Sequence, residues 1–389
     1  MIMTKILIFS GYYLPHIGGS INHIHQITER FANQGYKIDI VTLNSDNSIE
    51  YEVIDNITIY RLPALHMLEN YELLVLNRRS LTILKKIFNK KYDIVFNYTR
   101  FHVTSLLALA YCKIKAVPYI HTELGSSHSI LTNKLMEFIS HIYDHILGYL
   151  VITNATQLIV NCSAGGSFLQ HLGGDPTRIN IISSGVDAEI FCNKKFSKTS
   201  RNQVKRYVFI TIVSRLIFSK GVQDAILAFS KVQKKYPDIK LLIVGDGPYK
   251  SHLTDLIEKN NIKNIFLFGF LEQTQVAKIL SITDFIINPS YSESLTSYSV
   301  LEGGIMGIPS ISTDVGGTRE IILDRMNGLL FTPGNVDLLS EKIELLIKDE
   351  NLRKLLGVNI KKIVEKNCDW DAIVREHERI IGKTIRAFP

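Results

Sequence analysis

Two stretches of the chain decide its fold: ITIVSRLIFSKG at residues 210–221 and NPSYSESLTSYSVLEGGIMGIPSISTDVGG at residues 288–317. In each, an apolar β-branched run is followed by a turn of small and charged residues and then by a helical pattern. This order places Arg215, Lys220 and Glu293 just past the carboxyl ends of strands, where open α/β sheets bind ligands. Two cations there suit a diphosphate, and a carboxylate in the following helix, Glu302, suits sugar hydroxyls. Together they predict a site for a nucleotide diphospho-sugar.

The same succession of strand-like run, turn and helical pattern continues over most of the chain. In the N-terminal half, strand-like runs alternate with helical patterns, and a second alternating set follows residue 206. Such alternation predicts two doubly wound parallel sheets, each wrapped by helices, in an α/β protein. Residues 193–206 hold six basic residues and almost no apolar ones, which indicates an exposed linker. We therefore predict an N-terminal domain at 1–192, a linker at 193–206 and a C-terminal domain at 207–369.

Size, charge and cysteine content narrow the class of protein. A chain of 389 residues with 46% hydrophobic residues is long enough for two domains, each with its own core. A net charge of +7 favours anionic partners such as diphosphates, acidic glycans or anionic lipid surfaces. No groove-reading or stacking motif supports nucleic acid as a partner. The four cysteines have no C-x-x-C spacing, which argues against a zinc site or a redox dithiol.

The sequence also predicts where the protein works. The N-terminus, MIMTKILIFSG, has an apolar run of four residues, ILIF, which is too short for a signal-peptide core and fits a first buried strand. No window reaches 18 uninterrupted apolar residues, so no transmembrane span is expected. We expect a cytoplasmic protein, with contact at the inner face of the membrane as an option.

An ordered set of motifs carries a family resemblance. It runs from the Gly18-Gly19 turn through HTELG, SSGVD, SRLIFSKG, IVGDGP, FLFGF, the Glu293/Glu302 pair and DVGGTRE to NGLLFTPGN, roughly residues 5–335. In order and spacing the chain resembles glycosyltransferase family 4, the retaining glycosyltransferases of GT-B fold. The resemblance implies two Rossmann-like domains facing a central cleft, with the donor bound mainly by the C-terminal domain and the acceptor by the N-terminal one. It also implies that the last helix, about 370–389, packs back on the first domain.

The resemblance assigns roles around the departing diphosphate. Arg215 and Lys220 supply fixed positive charge to the leaving group, so no metal is required. Glu302 accepts hydrogen bonds from the ribose hydroxyls, and Glu293 faces the donor sugar or its phosphate. Backbone N–H groups of the helix that starts near residues 297–299, namely those of Ser297, Tyr298 and Ser299, meet the phosphate.

The spacing of the two glutamates departs from the family. Eight residues, SLTSYSVL, separate Glu293 from Glu302, where the family has seven. An extra residue inside a helix would rotate everything beyond it by about 100°. We therefore predict that the extra residue lies in the loop before the helix, which leaves Glu302 in place and displaces Glu293 relative to the family position.

Further donor contacts are expected from three turns. Gly18 and Gly19, after the first strand, are expected to allow close approach of the backbone and positive φ, as the N-domain lip over the diphosphate and sugar. Gly245, in GDGPY, is expected on the nucleotide side. The loop around Phe270 is the candidate for contact with the base, largely through its backbone.

His121 ends the predicted strand VPYIHT and is expected to face the crevice. A histidine there can hydrogen-bond a sugar hydroxyl and stabilise developing charge. A lone histidine is more often a core residue bonded to a carbonyl, and it is the family pattern that favours function at this position. Glu123, two residues further on, receives no role.

Two candidate metal sites are weak in the sequence. His141 and His145 lie at i, i+4 with no evident third ligand, which favours an ordinary helix face. Asp369 and Asp371 have the D-x-D look of metal-dependent glycosyltransferases, but they open the final helix, where capping is the better explanation. No metal site is predicted.

Residues 77–91, NRRSLTILKKIFNKK, concern partners. They predict a helix with Leu81, Leu84, Ile87 and Phe88 on one face and basic residues on the other. A basic amphipathic helix can lie on an anionic membrane. The alternative, which the sequence slightly favours, is a helix that covers the sheet and exposes a solvated basic face.

The sequence thus predicts transfer of a hexose-type sugar from a nucleotide diphospho-sugar, with UDP favoured and GDP as the alternative. The acceptor would be a glycan or a lipid-linked molecule in cell-surface polysaccharide or glycoconjugate synthesis. Two alternatives stay open: an inactive glycosyltransferase-like subunit that binds glycans or a partner, and another GT-B enzyme such as a sugar-nucleotide epimerase or a phosphorylase.

Overall fold

The computed structural model of the protein describes residues 4–16, 18–45, 49–68, 71–130, 133–192 and 207–388. The chain forms two compact units. The first comprises Met1–Ser129, Asn133–Ser183 and Asp371–Pro389, and the second comprises Ile130–Thr132 and Ser184–Trp370. The predicted linker at 193–206 lies outside the described residues.

The first unit is built on a mostly parallel sheet of nine strands in the order β3-β4-β2-β1-β6-β7-β8-β9, with β5 paired to β4. Only β3 and β5 run antiparallel to their partner, β4. The strands are β1 Lys5–Ser10, β2 Lys37–Asn44, β3 Tyr51–Ile54, β4 Ile57–Leu68, β5 Tyr71–Leu74, β6 Ile94–Tyr98, β7 Tyr119–Glu123, β8 Gln157–Val160 and β9 Ile179–Ile181.

Helices connect these strands and cover both faces of the sheet. They are α1 Gly19–Asn33, α2 Arg78–Asn89, α3 Val103–Lys115, α4 Lys134–Tyr143, a π-helical segment Asp144–Gly148, α5 Tyr149–Thr153 and α6 Ser163–His171, with a 3₁₀ turn at Pro176–Arg178. The central strands are continuous apolar runs because both of their faces are buried, as expected for parallel sheets. In β1, Ile6, Leu7, Ile8 and Phe9 are all at most 1% exposed.

The second unit is a six-stranded parallel sheet in the order β12-β11-β10-β13-β14-β15. Its strands are β10 Val208–Val213, β11 Ile239–Val244, β12 Ile265–Gly269, β13 Phe285–Asn288, β14 Ser310–Thr313 and β15 Leu329–Phe331. Its helices are α7 Ala188–Phe191, α8 Val222–Gln233, α9 Lys250–Lys259, α10 Gln273–Ile282, α11 Tyr298–Ile305, α12 Thr318–Ile321, α13 Val336–Lys348 and α14 Glu350–Asn367, with a 3₁₀ turn at Phe218–Lys220.

The boundary between the units differs from the predicted one. The sequence assigns residues up to 192 to the first domain, whereas the fold places Ser184 onward in the second unit. The reason is packing: the backbone N–H of Val186 donates to the carbonyl of Cys368 at 2.9 Å, and the Cys192 thiol lies 3.6 Å from the carbonyl of Ile305. From Ser184 onward, the SSGVD segment therefore groups with the second unit.

The last helix, α15 Trp370–Ala387, groups with the first unit from Asp371 onward. There it packs on α1 and the turn that follows it. The hydroxyl of Tyr36 donates to Glu378 at 3.2 Å, and the ring of His377 lies 6.4 Å from those of His23 and Phe31. The chain thus returns to its N-terminal sheet at its end.

Helix α2 forms where the basic amphipathic pattern predicts it, but its packing face differs in part. Ile87 is fully buried, and Leu84 and Phe88 pack on the core of the first unit, whereas Leu81 is 59% exposed. Several basic side chains of this segment already have partners: Arg79 pairs with Glu50 at 2.9 Å, and Lys90 pairs with Asp39 at 2.5 Å. The helix therefore covers the sheet, with a partly engaged basic outer face.

A different helical segment exposes apolar side chains. From α4 through the π segment to α5, seven large apolar residues are each between 43% and 64% exposed: Leu135, Phe138, Ile139, Ile142, Ile146, Tyr149 and Leu150. Their spacing of three and four residues sets them along one stripe of the helix. We refer to them as the exposed stripe. Soluble monomers rarely expose contiguous apolar surface of this kind without a binding role.

Candidate functional site

The predicted ligand site of the second unit lies where its strand order reverses. Strand β10 pairs with β11 on one side and with β13 on the other, so the connections after β10 and β13 leave the sheet in opposite directions. Open α/β sheets bind ligands in the crevice that this divergence creates. The segment after β10 carries Arg215 and Lys220, and the segment after β13 carries Glu293. The topology therefore brings these predicted residues to the switch point of the sheet.

Lys220 and Glu293 form an ion pair at this point. The Nζ of Lys220 lies 2.7 Å from Oε1 of Glu293, with the two side chains 20% and 9% exposed. The two loops are also joined by their backbones, since the N–H of Tyr291 donates to the carbonyl of Ser219 at 2.8 Å. This contact orients the two side chains toward each other across the two loops.

Gly221 makes this junction possible. Its φ of 65° lies in the left-handed region, and a Cβ there would lie 2.0 Å from the carbonyl oxygen of Pro289. Only glycine tolerates both conditions without strain. The glycine of the SKG motif thus lets the start of α8 lie directly against the loop that carries Glu293.

The loop that carries Arg215 also contacts the GDGPY turn, which follows β11. Gly245 has φ 135°, and a Cβ there would lie 1.8 Å from the carbonyl oxygen of Ser214. The N–H of Leu216 donates to the carbonyl of Asp246, and the N–H of Tyr249 donates to the carbonyl of Leu216, both at 2.9 Å. Arg215 thereby lies on an exposed turn that these backbone contacts fix beside Gly245.

Glu302 lies in helix α11 and is buried, with 8% of its surface exposed. Burial raises the pKa of its carboxyl to about 7. Among the described residues, its carboxylate has no ion-pair or side-chain hydrogen-bond partner. A buried carboxylate without a partner is costly, so it marks a position where ligand donors, such as a pair of hydroxyls, would be accommodated.

The loop between the glutamates contains the extra residue of this chain. Helix α11 begins at Tyr298 with Ser297 as its N-cap, so residues 294–297 all precede the helix. Leu295 and Thr296 are buried, and the hydroxyl of Thr296 has no hydrogen-bond partner within the described residues. The insertion is therefore absorbed before the helix, and the phase of Glu302 on α11 is unaffected by it.

The candidate base-contact loop follows the edge strand β12. Phe268 and Phe270 are exposed, and between them the carbonyl of Gly269 accepts a hydrogen bond from the N–H of Gly245 at 2.8 Å. The loop is thus bonded to the same glycine turn that supports Arg215. Its aromatic side chains are available for stacking on a planar ligand.

In the first unit, the expectation of positive φ at Gly18-Gly19 is wrong. Gly18 has φ 166°, which is extended backbone, and a Cβ there would meet only Ile21, at 3.8 Å. Gly19 is the first residue of α1, without a left-handed φ. What these two glycines provide is the N-terminus of a 15-residue helix directly after the first strand, a position that suits an anion.

His121 does not end its strand and is not accessible. Strand β7 continues to Glu123, and His121 is 0% exposed. Its Nδ1 lies 2.9 Å from the amide nitrogen of Asn97, and its Nε2 lies 3.6 Å from a carboxylate oxygen of Glu123. That Nε2 has no hydrogen-bond partner among the described residues. The expected crevice-facing histidine is thus a buried one, with one ring nitrogen unsatisfied.

Next to His121 lies a buried charge network that the sequence did not predict. Arg100, 1% exposed, bonds Asp144 through Nε and Nη2, both at 2.8 Å, and lies 3.1 Å from Glu123. Burial alone would raise the pKa of Glu123, but Arg100 and His121 outweigh it and lower the pKa to about 2. Nothing in the sequence indicated this network. The two acidic partners of Arg100, Glu123 and Asp144, lie 23 and 44 residues further along the chain.

The D-x-D sequence opens the closing helix, as expected. Asp369 and Asp371 are exposed and flank Trp370, the first residue of α15.

Comparison with known families identifies the class of protein. Residues 17–190 match the model of Glycosyltransferase Family 4, and residues 193–363 match that of Glycosyl transferases group 1. An uncharacterized glycosyltransferase of Methanocaldococcus jannaschii is 30% identical over 376 residues, covering 96% of this chain and 97% of that protein. The chain belongs to glycosyltransferase family 4.

Two further similarities are informative. The alpha-monoglucosyldiacylglycerol synthase of Acholeplasma laidlawii is 24% identical over 378 residues, which is 90% of each chain. The crystal structure of Anabaena HepE in complex with UDP-glucose superposes with a TM-score of 0.78 at 18% identity, covering 97% of this chain and 99% of that one. This likeness in structure establishes the GT-B fold that the sequence predicts.

Proposed function

We propose that this protein is a retaining glycosyltransferase that transfers a hexose-type sugar from a nucleotide diphospho-sugar, most favourably a UDP-sugar, to a glycan or lipid-linked acceptor. The observation that carries the proposal is the switch point of the second sheet. There, Arg215 and the Lys220–Glu293 pair occupy the loops after β10 and β13, and the buried Glu302 lacks a partner among the described residues. The UDP-glucose complex of the structurally similar Anabaena protein supports UDP as the donor nucleotide.

In this proposal the cations stabilise the leaving group. Breaking the bond between the sugar C1 and the phosphate oxygen leaves negative charge on the nucleoside diphosphate. Lys220 would turn from Glu293 to the phosphate, and Arg215 would add a second cation, so that fixed charges take the place of a metal ion. Glu293, released from the lysine, would be directed at the sugar. No metal is then required for the transfer itself.

The nucleoside would be recognised by helix α11 and the β12 loop. The carboxylate of Glu302 would accept hydrogen bonds from the two ribose hydroxyls, which replaces the missing partner of a buried charge. The first turn of α11, at Ser297, Tyr298 and Ser299, would present backbone N–H groups to the phosphates. The loop at Phe270 would contact the base.

Transfer with retention would take place on one face of the sugar. The acceptor oxygen bonds to C1 on the face from which the phosphate leaves, and the proton of the acceptor hydroxyl passes to the departing phosphate oxygen. Such a step needs no separate general base. It is supported by the family and by the alpha linkage in the name of the Acholeplasma relative.

The first unit would bind the acceptor. The N-terminus of α1 at Gly18 and Gly19 is retained as a candidate contact for an anionic substrate group. His121 is retained as a candidate because its buried Nε2 lacks a partner, which a substrate hydroxyl would satisfy once local motion admitted it. Because His121 is fully buried, this contact depends on that motion.

We also propose peripheral contact with an anionic membrane, which a lipid-linked acceptor would require. The support is the exposed stripe on α4–α5, together with the basic outer face of α2 and a net charge of +7. The Acholeplasma relative is named as a synthase of a glycolipid, alpha-monoglucosyldiacylglycerol. Within the described residues, no helix is long and apolar enough to cross a bilayer. The cytoplasmic side, with its anionic lipids, would be the place of this contact.

The spacing of the glutamates no longer favours an inactive subunit. That alternative depended on the eight residues between Glu293 and Glu302, and these are accommodated before α11 begins. An epimerase or phosphorylase stays distinguishable by its products.

The decisive experiment is a donor panel. UDP, GDP and ADP and their glucose, galactose, N-acetylglucosamine and mannose derivatives are tested for stabilisation of the protein against heat. The stabilising donor is then incubated with lipid and glycan acceptors, and the products are analysed by mass spectrometry and by the anomeric NMR signal. We expect one nucleotide series to raise Tm and an α-linked product to form from an α-linked donor. Stabilisation by no nucleotide, or an inverted product, would overturn the proposal.

A further inference from the structure

Four histidines from three separate segments meet at one surface of the first unit. His128 follows β7, His141 and His145 lie on α4 and the π segment, and His171 ends α6. One ligand nitrogen from each of His128, His145 and His171 lies within 4.8 Å of the others. The ring of His141 lies 4.2 Å from that of His128. The sequence offered only the pair on the helix, so the fold supplies the missing ligands.

The carboxylate of Asp144 orients the central ring. The Nδ1 of His128 lies 2.7 Å from Oδ2 of Asp144, and Asp144 is itself held by two hydrogen bonds from Arg100. A histidine whose Nδ1–H is bonded to a carboxylate presents Nε2 as a metal ligand, the arrangement that usually supports metal-bound histidines.

The π-helical segment allows two consecutive residues of one helix to face opposite sides of the unit. Asp144 is buried and bonds Arg100 on the inner side, whereas the next residue, His145, is exposed on the outer side. The wider turn of a π-helix changes the direction of successive side chains, and such segments are frequent at functional sites. His171, at the C-terminus of α6, lies at the negative end of that helix, which favours a cation nearby.

We propose that His128, His145 and His171 bind one Zn²⁺ ion, or a similar transition-metal ion, with water in the fourth position. Imidazole nitrogens select zinc and its neighbours and do not suit Mg²⁺ or Ca²⁺. Three histidines plus water form an established tetrahedral zinc set. Zn–N bonds of about 2.0–2.1 Å require nitrogens about 3.4 Å apart. The nitrogens would therefore approach one another by at most about 1.4 Å on binding, and the side chains of His145 and His171, which would move, are exposed.

The bound ion would join three segments that the chain otherwise leaves separate: the loop after β7, helices α4–α5 and the end of α6. It would also fix His128 and thereby the Asp144–Arg100–Glu123 network beside His121. The ion is a structural clamp of the N-terminal unit and not a participant in glycosyl transfer, so this proposal stands independently of the proposed function.

The test uses untagged protein, because an affinity tag of histidines would bind the same ions. Purified protein is stripped with chelator, dialysed against zinc and analysed for metal, and Zn²⁺ is titrated by calorimetry. His171→Ala and His145→Ala are the test variants, and His66→Ala, an exposed histidine of the same unit, is the matched control. Circular dichroism checks that each variant is folded.

We expect one zinc ion per chain in the wild type and in His66→Ala, and a loss of at least about 100-fold in affinity in each test variant. Zinc should raise Tm in a concentration-dependent way in the wild type and the control only. Cobalt(II) should show the intense visible bands of a tetrahedral complex. Binding that is absent from the wild type, or equal in His171→Ala, His145→Ala and His66→Ala, would overturn the proposal.

Discussion

The buried carboxyl of Glu302 makes donor binding dependent on pH. Its pKa is raised to about 7 in the free protein, so at pH 6 it is mostly protonated. Two ribose hydroxyls need an ionised acceptor, so binding at pH 6 must first remove the proton. With the pKa at about 7, that removal costs about 1.4 kcal/mol at pH 6 and about 0.1 kcal/mol at pH 8. Affinity should therefore rise about tenfold between pH 6 and pH 8.

The assay is calorimetric titration of a nucleotide sugar at both pH values. A nucleotide sugar is preferred to a free nucleoside diphosphate, because the terminal phosphate of the latter itself titrates near pH 6. Repeating the titration in buffers of different ionisation enthalpy should reveal release of a proton at pH 6 and of almost none at pH 8. The test variant is Glu302→Gln, and the matched control is Glu341→Gln, an exposed glutamate on α13.

Wild type and Glu341→Gln should show the tenfold change, and Glu302→Gln should bind more weakly with a flat profile. A flat profile in the wild type would refute the reasoning from burial. An equally steep profile in Glu302→Gln would show that the titrating group lies elsewhere and that the ribose assignment is wrong.

The same group also affects stability. A carboxyl whose pKa is higher in the folded than in the unfolded state is stabilising only when protonated, so its cost grows as pH rises from about 4.5 to about 7 and is complete above that range. Glu302→Gln should therefore increase the free energy of unfolding at pH 8 by up to about 3 kcal/mol. No gain at pH 8 by denaturant titration would contradict the raised pKa.

Four further predictions concern the site and its surroundings. Arg215→Ala and Lys220→Ala should each lower kcat by at least about 100-fold. The control is Lys234→Ala, at an exposed lysine just after α8, and it should leave kcat unchanged. Wild-type rates in either test variant would contradict the leaving-group assignment. Turnover at a temperature well below unfolding should survive EDTA, and a strict need for Mn²⁺ or Mg²⁺ would revive Asp369 and Asp371. Deleting Thr296 restores the family spacing but displaces the buried Leu295, so it should lower kcat, and an unchanged or higher rate would contradict the adapted loop. Phe138→Ser with Ile142→Ser should abolish sedimentation with anionic vesicles at low salt, whereas Lys234→Ala should not; no binding by the wild type would remove the membrane proposal.

The sequence determined the two sheets. Strands of a parallel sheet are buried on both faces, so they consist of nearly continuous apolar residues that can be recognised in the sequence. Each predicted strand of the central sheets is present, from Lys5–Ser10 to Leu329–Phe331. The two outer antiparallel strands, Tyr51–Ile54 and Tyr71–Leu74, were not predicted. Edge strands have one side without a neighbour, so their composition is less constrained and their signal is weaker.

The sequence also determined where the candidate site residues of the second unit lie along its strands and helices, because strand ends and helix starts fix where a side chain emerges from the sheet. Arg215, Lys220 and Glu302 are local to such ends, and the position of the extra residue before Tyr298 follows from the helical pattern that starts there. What only the tertiary structure decided is each contact between distant segments: the Lys220–Glu293 pair, the burial of His121 and the Arg100–Asp144 network.

The histidine cluster gives the same lesson in its clearest form. His128, His145 and His171 are 17 and 26 residues apart along the chain, and only the packing of a loop against two helices brings their nitrogens within 4.8 Å. Periodicity records which face of an element is buried. It carries no information on which other element will lie against that face, because a hydrophobic contact is non-directional and many partners satisfy it equally. Contacts between polar side chains of distant segments therefore could not be predicted from the sequence and became visible only in the fold.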